Sequence, residues 1–87
     1  MTDNNTVTLI EQRLQDAFSP TFLEVIDESH RHAKHKGRDE NRGNYVLTIH
    51  SQAFADKSPI QRHKMIYAAL GELMQTHIHG LAIKAKV

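Results

Sequence analysis

Apolar positions in the last third of the chain keep one spacing and then change to another. His63, Ile66, Tyr67, Leu70, Leu73 and Met74 recur as one face of a helix. Ser58 precedes that run as its N-cap, Pro59 takes the first helical position and Gln61 stands three after the cap, which is a capping box with proline where its missing N–H is harmless. After Gln75-Thr76-His77 the period drops from 3.6 to 2. His79, Leu81, Ile83, Ala85 and Val87 then predict one side of a strand, with His79 as the polar head of an apolar row.

The earlier chain reads in the same way. Residues 1–6 form a polar tail expected to be disordered. Thr8 with Glu11 offers a capping box, Thr6 is an alternative cap, and Ile10, Leu14, Ala17 and Phe18 predict a helix to about Phe18. Ser19-Pro20 ends it. Phe22 to Asp27 reads as a short strand and Tyr45 to Ile49 as a second, alternating one. Between them Glu28 to Asn44 has no hydrophobic period, and a loop of that length in a small domain is usually functional or mobile. Ser51 to Lys57 is a connector with Phe54 as its expected anchor. The order is α-β-β-α-β. It predicts an α+β domain with a three-stranded mixed sheet, the first two strands antiparallel across the loop, the last parallel after a helical crossover, and both helices on one face.

Composition narrows the functions more than it selects one. The 87 residues allow a single core, with no space for a second domain. A formal net charge of +1 gives no strong pull toward nucleic acid or membrane. No apolar run approaches the roughly 20 residues of a membrane span, and the polar start has no apolar signal core, so a cytoplasmic address is the default expectation. The chain has no cysteine, which removes disulfides and thiolate ligation by its own side chains. It also lacks a nucleophile–base motif, and Asp27 and Glu28, adjacent along a strand, face opposite ways. An enzyme is therefore not expected.

Histidine is where the chemistry concentrates. Seven occur in the chain, and neutral imidazole ligates iron, zinc, copper or nickel. The stretch His30-Arg31-His32-Ala33-Lys34-His35-Lys36-Gly37-Arg38 holds three histidines and four cations. It reads as a solvated basic loop, a phosphate-contacting patch or a metal-ligating segment. His79, beside Gly80 at a helix-to-strand junction, is either a hydrogen-bonded structural residue or a ligand. His63 shares the packed face of Ile66 and Leu70, and Arg62 lies by the positive end of its helix.

Three segments together resemble the BolA family: Leu23-Glu24-Val25 with Asp27-Glu28-Ser29 before the loop, Arg62-His63-Lys64-Met65-Ile66-Tyr67 in the helix, and Ile78-His79-Gly80-Leu81-Ala82-Ile83 in the last strand. The resemblance runs from about Leu9 to Lys86. It implies a fold similar to class II KH domains. It also implies a protein that pairs with a monothiol glutaredoxin and shares a [2Fe–2S] cluster, for cluster assembly and trafficking or for iron sensing. The glutaredoxin and glutathione supply thiolates in that arrangement, so no cluster is expected in the isolated chain. By position the last-strand ligand is His79. The second comes from the loop, with His32 the best match and His30 and His35 as alternates. Histidine in place of thiolate on one iron raises the cluster potential.

The chain departs from the family pattern at Arg38-Asp39-Glu40-Asn41-Arg42-Gly43-Asn44-Tyr45, where many relatives have a histidine before the aromatic residue. Nor do Gly37, Gly43, Gly71 and Gly80 form a Gly-x-x-Gly loop, so RNA clamping of the usual KH type is not expected. Some BolA-like proteins are described as DNA-binding transcription regulators. For that role the candidates are Arg62 and Lys64 at the helix start with Arg31, Lys34, Lys36 and Arg38 in the loop, contacting mostly phosphate. A zinc site made from the loop histidines is a third reading.

Overall fold

Ser58 opens the crossover helix as its sequence predicts. Its Oγ accepts the Gln61 N–H at 3.1 Å, and Gln61 Oε1 accepts the Ser58 N–H at 2.9 Å. The structure, a computed structural model, describes residues 4–29 and 42–87. Their elements are α1 (Asn4–Phe18), β1 (Phe22–Asp27), β2 (Gly43–His50), a 3-10 turn (Gln52–Phe54), α2 (Pro59–Leu70), α3 (Leu73–Thr76) and β3 (Ile78–Lys86). The sheet order is β1-β2-β3, with β1 antiparallel and β3 parallel to β2. This is the α+β arrangement with a mixed sheet that the order of elements predicts.

The helices lie on one face. Ile10 and Leu14 of α1 and Ile66 and Leu70 of α2 are fully buried against Leu47 and Ile49 of the central strand. Each such side chain contributes about 1.5–3 kcal/mol of burial. Phe54 is the anchor expected of its connector. It is fully buried and its ring lies 4.9 Å from that of Phe18. Ser51, also buried, donates its hydroxyl to the Phe18 carbonyl at 2.7 Å, so the end of α1 and the end of β2 are held together.

Four features differ from expectation. The first helix starts at Asn4, ahead of Thr6 and Thr8, and Thr6 is buried within it, so residues 4–6 of the expected polar tail are helical. The second strand begins at Gly43, shortening the loop from its far side. The crossover is not one helix through Met74. It breaks at Gly71, whose φ of 55° and ψ of −128° lie where L side chains rarely go, and α3 restarts beyond it. Arg13 crosses from α1 to this break, giving Nη1 to the Leu70 carbonyl and Nη2 to Glu72, both at 2.8 Å. The fourth difference is the side taken by His79.

Candidate functional site

The last strand carries an extra residue. Gly43 pairs with Ile78 and Asn44 pairs with Gly80, so the register passes over His79. A bulge of this kind adds one residue to one strand and resets which side its neighbours face. Ile78 is buried and Leu81, Ile83 and Ala85 pack against the core, whereas His79, Ala82, Lys84 and Lys86 are exposed. His79 therefore does not head the row of Leu81, Ile83 and Ala85, as an unbroken alternation predicts. It stands at the rim of the opposite, open face.

Gly80 lies in close contact with the neighbouring strand. A Cβ there would meet the Asn44 Oδ1 at 2.6 Å, so the Asn44 amide lies directly over its α-carbon. Asn44 alternates with the buried Gly43 and Tyr45, which places its side chain on the open face with His79 beside it.

The stem of the long loop is fastened to this same end of the sheet. Asp27 Oδ1 accepts the Ser29 N–H at 2.8 Å, and Ser29 Oγ accepts the Asn44 N–H at 3.1 Å. On the returning side Arg42 donates Nη2 to the Ile78 carbonyl at 3.2 Å, and the Gly43 N–H donates to the His77 carbonyl at 2.9 Å. A Cβ on Gly43 would collide with Ser29 Oγ and with the Tyr45 ring, so the stem closes only around glycine. Both stems of the loop thus sit beside the bulge that carries His79. His30, His32 and His35, with Arg31, Lys34, Lys36 and Arg38, lie outside the described residues. Among the described residues, no three His, Cys, Asp or Glu gather into a group that could hold a metal ion.

The other candidates lie elsewhere. Arg62, half-buried, gives Nε to the Lys57 carbonyl at 3.0 Å and Nη1 to the Ala85 carbonyl at 2.8 Å, so it braces the far end of β3 against the start of α2. Lys64 is exposed on the same helix. His63, half-buried, meets Tyr67 edge-on with ring centres 6.4 Å apart, a packed position. Sequence reasoning did not single out Asn44, Arg42 or Ser29 as parts of the site. Their roles depend on the register between strands, which no local pattern carries.

Residues 14–87 match the protein family described as BolA-like protein. The chain belongs to the BolA-like family. It is 39% identical over 74 residues to the DNA-binding transcriptional regulator BolA of Escherichia coli K12, covering 85% of this chain and 68% of that protein. It is 36% identical over 77 residues to human BolA-like protein 1, covering 88% of this chain but only 54% of the human one. It therefore spans about half the length of its human BolA relative. The solved BolA domain of SufE1 from Arabidopsis thaliana superposes with a TM-score of 0.81 at 34% identity, over 99% of this chain and 94% of that domain. These neighbours share the BolA arrangement of helices and mixed sheet described above. Among the described residues, no helix is long and apolar enough to cross a membrane.

Proposed function

We propose that this BolA-like chain is a non-enzymatic adaptor that binds a monothiol glutaredoxin and shares a [2Fe–2S] cluster with it. The cluster is cargo, for assembly and trafficking or for iron sensing. The observation that carries this reading is the placement of His79: an exposed imidazole on a bulge, at the end of the sheet where both stems of the histidine-bearing loop are fastened. His79 is one ligand in this reading. His32, or in its place His30 or His35, is the other. Imidazole suits iron, and two imidazoles leave the remaining positions to thiolates that a cysteine-free chain must obtain from glutaredoxin and glutathione.

The test is an anaerobic reconstitution of the chain with monothiol glutaredoxin, glutathione, iron and sulfide. A visible absorption and circular dichroism spectrum distinct from that of glutaredoxin alone, one-to-one co-elution and loss of the new spectrum in His79→Ala are expected. An unchanged spectrum in His79→Ala overturns the ligand assignment.

The names of the Escherichia coli and Vibrio cholerae relatives, both DNA-binding transcriptional regulators, favour a second reading as a DNA-binding regulator in the cytoplasm. Lys64 with Arg31, Lys34, Lys36 and Arg38 would contact phosphate in that case, and Arg62 has two donors already engaged by backbone. Partner-free DNA binding with a marked salt slope, lost in Lys34→Ala with Lys36→Ala, supports it. Binding that vanishes at about 150 mM salt reduces it to charge attraction.

A further inference from the structure

We infer that the open face of the sheet, from His79 to Lys84, is where the thiol-bearing protein partner docks. This rests on the cluster-sharing reading above and adds the direction from which the partner comes. The bulge decides the side. Had the alternation run unbroken, His79 would face the helices and a partner would have to reach it past α3. With the extra residue, His79 stands at the rim of the face that the helices leave open.

That face has the character of a docking surface. The register aligns Ile26, Val46 and Ala82 in one row across the three strands, next to the Asn44–Gly80 pair beside His79. Ile26 is 42% exposed, and Phe22 two rows further is 48% exposed. Successive rows on one face of a sheet are about 7 Å apart. A protein whose thiolates share irons with His79 therefore covers the Ile26–Val46–Ala82 row by its bulk alone.

Charge selects the occupant. Before any histidine replaces them, four thiolates and two sulfides outweigh the charge of two ferric ions, so the loaded partner presents an anionic site on encounter. The open face carries Lys84 and Lys86 against Glu24, with Arg42 at the rim by Ile78. A second copy of this chain would bring the same lysines to the contact and is the poorer match. Complementarity of this kind sets partner choice and encounter rate.

The test titrates the chain into monothiol glutaredoxin loaded with cluster and glutathione, without air, and reads Kd from visible circular dichroism. Ile26→Glu and Ala82→Glu, both at exposed positions, are each expected to weaken binding by about tenfold or more, with unchanged far-ultraviolet circular dichroism and melting temperature. Glu24→Lys, which adds positive charge to the same face, is expected to bind at least as tightly as the parent. If both glutamate variants bind like the parent while the spectrum still depends on His79, the docking face is wrong and the ligand assignment stands. If the parent itself gives no His79-dependent spectrum, the cluster-sharing reading falls, and the docking face falls with it. Weakening by Glu24→Lys as strong as that by the glutamates overturns the charge argument.

Discussion

Gly43 and Gly80 both lie at the His79 end of the sheet, and they differ in what a methyl group would meet. At Gly43 the obstacles are Ser29 Oγ, already engaged with Asn44, and the buried Tyr45, its hydroxyl at 2.8 Å and its ring at 3.0 Å. Neither can move without opening the stem, so Gly43→Ala is expected to cost about 1–3 kcal/mol. At Gly80 the obstacle is the far end of the Asn44 amide, which can rotate into the open face. Gly80→Ala is therefore expected to cost less than about 1 kcal/mol. Urea unfolding of the two variants checks the order, and equal costs would mean that the Asn44 amide is held as firmly as the Tyr45 ring. At this scale the sequence marked His79 as a residue needing explanation, but alternation alone put it on the wrong face. An inserted residue in a strand has no signature beyond its neighbours, and here only the adjacent Gly80 hinted at a close approach.

Among the elements, the crossover shows how far local signals reach. Its start was legible because Ser58, Pro59 and Gln61 act through neighbouring backbone atoms. Its end was not, because apolar residues at helical spacing continue past Gly71 through Leu73 and Met74, and an isolated glycine inside a helical pattern is common enough to pass. The backbone at Gly71 suits glycine, and Arg13 fastens α1 to the carbonyl just before it. Gly71→Ala is expected to destabilise the whole domain by about 1–3 kcal/mol, although the same change in an isolated peptide spanning 59–76 should raise its helix content. Far-ultraviolet circular dichroism of the peptide and denaturant unfolding of the domain measure the two effects. The neighbouring tie has a pH dependence. The hydrogen bond from Arg13, reinforced by its charge, holds the exposed Glu72 carboxyl below its usual range. A depressed folded value contributes stability that is full above the unfolded carboxylate range and is lost as pH falls through the folded value. The melting-temperature difference between the parent and Glu72→Gln should be present at neutral pH and close under acid conditions. A difference that grows on acidification would contradict the assigned sign.

For the whole molecule, fold and site were legible to different degrees. The α-β-β-α-β order, two antiparallel strands and a parallel third follow from periodicity and connection length. What no period could give is the register between β2 and β3, since these strands are joined by a crossover of more than 20 residues. That register fixes Asn44 over Gly80, sets Arg42 beside Ile78 and turns His79 toward the open face. It also means that the ladder between β2 and β3 pairs on either side of the residue it passes over. Gly43–Ile78 and Asn44–Gly80 are already successive partners, so removing His79 would leave every other pair in place and restore plain alternation from Ile78 onward. A one-codon, in-frame deletion of His79 is therefore expected to yield a chain that expresses and melts within a few degrees of the parent, while losing any cluster spectrum. A collapse of the melting transition would show that the bulge itself holds the strand. If the deletion is tolerated, the histidine is an insertion that this lineage can gain or lose in a single event, with the heritable shape of the domain untouched.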